Sequence, residues 1–306
     1  MFIETSALAK DYGQVHALGP LSLEIPAGSL ALVGPNGAGK TTFLRLLMGL
    51  LVPTEGTARV LDHDVLSESL RIREKVGYMP EHDCLIPEMT GVGFVAFMGR
   101  LSGLPAAVAL SRAHDVLQFV GLREERYRRI SEYSLGMRQR VKLAQAIVHD
   151  PPLCLLDEPT AGLDPMGRVE MLQLLRALAL QTGKTVVLST HLLEDVEGIC
   201  ENLLVLDGGR AVVHGPLRQL LSLGDSTLAL RIKGDHARFL AGLAARGVTA
   251  ELVGEEYRLP RPEGGERVIF EVAQETRTQI RYLGRSVQSL EELFLNSVQH
   301  PPRGGA

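Results

Sequence analysis

Short apolar runs and longer amphipathic stretches take turns along the first two thirds of the chain. Phe2-Ile3-Glu4-Thr5-Ser6-Ala7-Leu8 alternates weakly and Leu21-Ser22-Leu23-Glu24-Ile25 alternates cleanly, both as strands. Pro26-Ala27-Gly28 turns the second into Ser29-Leu30-Ala31-Leu32-Val33, a run with the length and composition of a buried parallel strand. Residues 42–48 have helical composition, Gly49 and Pro53 break it, and residues 56–61 read as a further strand. Residues 75–81 form a short strand ending at Pro80, which puts Glu81 at a strand-to-loop junction. From about residue 83 to 150 strand character is lost. Val108, Leu110, Ala113, Val116, Leu117 and Val120 fall at helical spacing there, with Gly103-Leu104-Pro105 and Gly121 as breaks. Strand patterns return at residues 153–157, 185–190, 202–206 and 211–213, and a helix runs from Pro165 through Leu178. The pattern predicts an α/β fold with a helical subdomain inserted at about 83–150.

The last eighty or so residues read differently. Thr227-Leu228-Ala229-Leu230-Arg231-Ile232 alternates as a strand, residues 236–246 have helical spacing, and residues 248–259 and 267–272 read as two more strands. Residues 289–298 have the pattern of an amphipathic helix. The expectation is a first domain over 1–222 and a small α+β accessory domain over 223–306.

Between the buried strand at 29–33 and the helix after it lies Gly34-Pro35-Asn36-Gly37-Ala38-Gly39-Lys40-Thr41, followed by Thr42. Strand, glycine loop and helix is the context a phosphate loop requires. The glycines let successive N–H groups point inward at an anion, and the helix N-terminus adds partial positive charge. Lys40 then reaches the β- and γ-phosphates of a nucleoside triphosphate, and the Thr41 hydroxyl is placed to ligate Mg²⁺. Leu153-Cys154-Leu155-Leu156 runs into Asp157-Glu158, two acids at the end of a buried strand, which need something cationic to meet them. Asp157 would hold the metal through water and Glu158 would polarise the attacking water. His191, just past the strand at 185–190, is in the right place to contact a γ-phosphate. Tyr12, in the segment Asp11-Tyr12-Gly13, reads as a loop aromatic that packs locally or stacks on a purine. Ser134 reads as a helix N-cap, or, together with the Gly136 N–H, as a second anion site.

Composition narrows the setting. With 45% apolar and 22% charged residues the chain is ordinary for a globular protein, and a net charge of −4 argues against a nucleic-acid binder. Three scattered cysteines suggest neither a disulfide framework nor a metal cluster and fit a reducing cytoplasm. Early charged residues (Glu4, Lys10, Asp11) exclude a secretory signal, and the most apolar stretch, residues 91–110, is interrupted by Arg100 and Pro105. No transmembrane segment is expected, so any action at a membrane would run through a partner.

Tyr12, GPNGAGKT from Gly34, Glu81, YSLGM from Tyr133, LCLLDEP from Leu153, AGLD from Ala161 and STH from Ser189 resemble, in order and spacing, the ATPase subunits of ABC transporters. The resemblance covers residues 1 to about 220. It implies a P-loop ABC ATPase fold, with ATP and Mg²⁺ as ligands. It assigns Tyr12 to adenine stacking, Gly34 to Thr42 to the phosphate grip, Glu81 to the Q-loop, Asp157 to the metal and Glu158 to the catalytic base. It makes Asp164 part of the D-loop and His191 the switch histidine. Ser134 and Gly136 fall in the signature segment, which in this family meets nucleotide held by a second copy, so a head-to-tail homodimer around two ATP molecules is implied. Glu81 stands where the family has glutamine, and Tyr-Ser-Leu-Gly-Met replaces Leu-Ser-Gly-Gly-Gln. Both departures resemble the ABC-2 branch of drug, antibiotic and sodium exporters, as does the tail with its Ser289-Leu290-Glu291-Glu292-Leu293-Phe294 stretch. Separate transmembrane permease subunits, a location at the cytoplasmic face of the membrane, and no nucleic-acid partner follow from the resemblance. The alternative is a soluble ABC ATPase without a membrane partner.

Overall fold

A computed structural model describes residues 1–181, 183–196, 198–222, 227–253, 256–262 and 264–285 of the chain. It divides into two compact units that part between Leu217 and Arg218.

In the first unit, β1 (Ile3–Tyr12) and β2 (Val15–Ile25) form a long antiparallel hairpin. It continues through β4 (Glu55–Val60) to β5 (His63–Asp64), in the order β2-β1-β4-β5. The hairpin is longer than the sequence suggests and corrects one expectation. Tyr12 is not in a loop but is the last residue of β1, paired with Val15. The turn needs only two residues because Gly13 takes φ +61°.

A second sheet has the order β10-β9-β3-β8-β7-β6. Its strands β3 (Ser29–Val33), β6 (Val76–Met79), β7 (Leu153–Asp157), β8 (Thr185–Thr190) and β9 (Asn202–Asp207) are parallel, and β10 (Arg210–Pro216) closes one edge antiparallel to β9. Every residue of β3, β7 and β8 is buried, which is why β3 and β7 read as short apolar runs and β8 keeps Val186, Val187 and Leu188 at its centre. Helix α1 (Lys40–Leu47) shares one core with both sheets: Phe43, Leu44, Leu46 and Leu47 meet Leu30, Leu32, Leu153, Leu155 and Leu204 on one side and Ile3, Leu8 and Val60 on the other. Helix α2 (Ser69–Lys75), missed in the sequence, buries Ile72 as its one anchor, too little periodicity to detect.

The inserted helices are α3 (Gly91–Leu101), α4 (Ala106–Phe119) and α5 (Leu135–Ile147), packed on one another. Thr90 caps α3 by accepting from the Gly93 N–H, and Ser134 caps α5 by accepting from the Met137 N–H at 3.3 Å. Helix α5 is enclosed almost all round: Gln139, Lys142 and Gln145 are buried with Val141, Leu143, Ala144, Ala146 and Ile147. Helix α6 (Pro165–Gln181) follows β7, and α7 (Leu217–Ser222) lies where the two units part.

The second unit runs β11 (Thr227–Lys233), α8 (His236–Ala244), β12 (Glu251–Val253), β13 (Glu256–Pro260), α9 (Arg267–Thr276), β14 (Gln279–Arg285). Its antiparallel sheet, in the order β12-β13-β11-β14, has the split β-α-β arrangement of ferredoxin-like folds. Phe239, Leu243, Ile269 and Val272 from its helices meet Leu228, Leu230, Tyr257 and Leu259 from the sheet. Two expectations are corrected here. Residues 248–259 are not one strand, since β12 and β13 pair with each other. Residues 267–272 are not a strand but the start of α9. Val268-Ile269-Phe270 is β-like in composition, yet Ile269, Val272 and Ala273 are buried at helical spacing and tertiary burial overrides propensity. The helix expected at 289–298 lies outside the described residues.

Candidate active site

The phosphate loop follows the buried strand β3 and leads into α1. Gly37 and Gly39 hold φ +83° and +98°, and a Cβ on Gly39 would meet the Ala17 carbonyl oxygen at 2.5 Å. Gly34 is confined too, with its Cβ direction filled by the Leu206 carbonyl oxygen. Lys40 is buried and turned back on the loop, donating to the carbonyls of Gly34 at 2.7 Å and Pro35 at 3.2 Å. A cleft of about 380 Å³ opens over the loop, lined by Asn36, Gly37, Ala38, Gly39, Lys40, Thr41 and Thr42 with Ala17, Glu81 and Glu158. A buried ammonium and the N-terminus of α1 meet at this cleft, a combination suited to an anion.

Two acids stand at the end of β7, and one of them, Glu158, lines the cleft. Asp157 is wholly buried, and its carboxylate accepts from the Ser189 hydroxyl at 2.7 Å and the Tyr78 hydroxyl at 3.4 Å. Burial and then the Asp157 charge push the Tyr78 phenol up to about 12, so it stays a donor. Glu158 takes φ +48°, a left-handed conformation that costs a non-glycine residue energy and is commonest at functional sites. Ser189 fixes it: the Glu158 N–H donates to the Ser189 hydroxyl at 2.9 Å and to the Ser189 carbonyl at 3.2 Å. The Glu158 carboxylate sits between two cationic or protonatable groups. Oε2 lies 2.8 Å from His191 Nδ1, and Oε1 lies 3.1 Å from Lys40 Nζ at an ion-pair distance without hydrogen-bond alignment.

Thr41 and Glu81 line the cleft with oxygen donors, while Asp157, wholly buried, stands behind it at the end of β7 and is not part of its lining. No group of three or more His, Cys, Asp or Glu suited to a metal exists among the described residues. A sparse set of hard oxygens fits Mg²⁺, which keeps most of its positions for phosphate and water.

Ser134, Gly136 and Asp164 are elsewhere. They line a separate groove of about 570 Å³ between α5 and the segment leading into α6, together with Leu135, Met137, Gly162 and Leu163. Asp164 also caps α6 by accepting from the Gly167 N–H at 3.2 Å. Tyr12 lines neither cavity; it is 47% exposed, with Lys10 Nζ 5.3 Å from its ring centre.

Several residues that matter here were given no role of their own in the sequence, Ser189 among them although it opens the Ser-Thr-His stretch. Ser189 locks Asp157 to Glu158. Asp195, wholly buried, accepts from the hydroxyls of Thr160 and Thr190 and pairs with Arg168 at 2.7 Å, tying the strand end of Glu158 to that of His191. Lys142 donates to the Glu81 carbonyl at 2.7 Å, and Gln145 to the Tyr78 carbonyl at 3.0 Å. A buried lysine in a helix otherwise rich in apolar positions was the one detectable signal among them.

Residues 18–161 match the ABC transporter family. Over 98% of its length the chain is 37% identical to the daunorubicin/doxorubicin resistance ATP-binding protein DrrA of Streptomyces peucetius, covering 93% of that protein. The chain belongs to the ABC transporter ATP-binding proteins. It is also 34% identical to a Nod factor export ATP-binding protein of Ralstonia nicotianae, over 96% of this chain and 92% of that one. Among solved structures, an ATP-binding cassette captured as a dimer after hydrolysis with ADP and Pi matches with a TM-score of 0.65 and 27% identity, over 71% of this chain and 99% of that one. As an ABC cassette the chain binds ATP and is an ATPase. No helix of the described residues is long and apolar enough to cross a membrane.

Proposed function

We propose that the chain is the ATP-hydrolysing subunit of an ABC-2-type exporter, bound at the cytoplasmic face of the membrane to separate permease subunits and driven by closure and opening of its own homodimer. The roles of its relatives in daunorubicin/doxorubicin resistance and Nod factor export support an exporter over a soluble ABC ATPase. The observation that carries the dimer is the separation of the two half-sites. The phosphate-loop cleft holds Lys40, Thr41, Glu81 and Glu158, whereas Ser134, Gly136 and Asp164 line a different groove. A second copy, turned head to tail, supplies the missing half of each.

In this reading the N–H groups of Gly37 to Thr42 and the Lys40 ammonium bind the phosphates, Gly34 and Pro35 shape the loop, and Tyr12 stacks on adenine. Thr41, Asp157 and Glu81 hold Mg²⁺, which when bound neutralises phosphate charge. Glu158 orients the attacking water and takes its proton, while His191 orients Glu158 and faces the γ-phosphate. ATP arriving at Lys40 competes with Glu158 for the ammonium, which frees the carboxylate for its task.

The test is light scattering on Glu158→Gln protein with and without ATP and Mg²⁺. A nucleotide-dependent shift to dimer, abolished by adding Ser134→Arg, is expected, with hydrolysis down ~10²–10⁴-fold. Dimers that persist with Ser134→Arg, or a variant that still hydrolyses ATP at the parental rate, overturn the assignment.

A further inference from the structure

We propose that Lys142 is a positioning residue for the metal-binding half of the nucleotide site, holding the Glu81 segment in register with Asp157. This rests on the reading of Glu81 as a metal ligand given above. Lys142 lies on α5, eight positions beyond the Ser134 cap, with its side chain only 3% exposed. Its ammonium donates to the backbone carbonyl of Glu81 at 2.7 Å, and the carboxylates of Asp83, Glu81 and Asp157 are its charged neighbours, along with the Cys84 thiol. One turn further along the same helix face, Gln145 donates to the Tyr78 carbonyl, and the Tyr78 hydroxyl reaches Asp157.

The two side chains therefore clamp both ends of the short stretch from Tyr78 to Glu81. A buried ammonium is costly unless charges compensate it. Here the carboxylates of Asp83, Glu81 and Asp157 do so, the last two being the acids assigned to the metal above. The anchored carbonyl belongs to the same residue whose carboxylate lines the cleft. Losing the bond releases that carboxylate from its place without touching nucleotide.

Outer-shell supports of this kind typically change metal affinity by ~10–100-fold. Two readouts are used: Mg²⁺ dependence of ATP hydrolysis, and binding of a fluorescent ATP analogue titrated with and without Mg²⁺. Lys142→Met is expected to raise the half-saturating Mg²⁺ about tenfold in both, while leaving analogue affinity without Mg²⁺ unchanged. Lys142→Arg is expected to restore most of the effect, and Lys142→Gln serves if the methionine variant does not fold. An unchanged Mg²⁺ dependence in Lys142→Met overturns the inference, and so does an equal loss of affinity without Mg²⁺. Glu81→Ala separates the two layers. If it leaves the Mg²⁺ dependence intact, the underlying ligand assignment fails; if it shifts that dependence and Lys142→Met does not, only the positioning role fails.

Discussion

Replacing Ser189 by alanine removes one buried oxygen that does two tasks. Ser189 is fully buried, its hydroxyl donates to the Asp157 carboxylate at 2.7 Å, and it accepts from the Glu158 N–H at 2.9 Å. The bond to a buried carboxylate is charge-assisted, and losing such a bond costs about 1.5–3 kcal/mol. The Glu158 N–H keeps the Ser189 carbonyl at 3.2 Å, so that donor is not orphaned and adds only a few tenths. The Tyr78 hydroxyl at 3.4 Å is too long to take over. The expected loss is therefore ~2–3 kcal/mol, or ~5–10 °C in melting temperature for a unit of this size. Glu158, in its strained backbone conformation, loses its side-chain anchor, so kcat should fall ~10–100-fold with KM for ATP nearly constant. Thermal unfolding by circular dichroism and steady-state ATPase assays measure both. In the Asp157→Asn background the same substitution should cost ~1–2 kcal/mol less, because the charge it serves is gone. A melting temperature within about 1 °C of the parent, with kcat unchanged, would refute the bridge.

Further outcomes follow from other groups. Gly39→Ala should abolish nucleotide binding and cost ~1–3 kcal/mol, since φ +98° and the Ala17 carbonyl at 2.5 Å leave no room for a methyl group; calorimetric titration with ATP checks it. Asp195→Asn weakens the knot between Thr160, Thr190 and Arg168 and should cost ~2 kcal/mol in urea unfolding, discounted because Arg168 is partly solvated. Burial lowers the His149 pKa from 6.5 and outweighs the opposing pull of the Val76 backbone. The protonated form thus favours the unfolded chain, so this contribution is fully present above pH 6.5 and is lost as pH falls. His149→Gln should flatten the stability–pH curve in that range, and an unchanged slope would remove His149 from the account.

Much of the nucleotide site was legible because its chemistry is written in contiguous residues. The loop from Gly34 to Thr42 and the Asp157-Glu158 pair each carry their meaning in sequence order, flanked by strands whose burial on both faces leaves an unbroken apolar run. Ser189, Asp195 and Lys142 were not legible as parts of that site, because each acts across 30 or more residues through a contact that only the sheet order creates. Tyr12 was misplaced for a related reason: hairpin length depends on register between two strands, which local alternation does not define. In the second unit the error at residues 267–272 came from composition, as β-branched residues were read as a strand where two buried positions per turn decide for a helix.

The pairing of Leu228 with Arg285 places the first and last described strands of the second unit side by side, so the start of β11 and the end of β14 share one edge of the unit. Adjacent strands are only ~5 Å apart, a gap that a single residue or two can bridge. This unit is therefore topologically a bead closed at its base. A loop lengthened between its described strands therefore need not displace either end of its sheet.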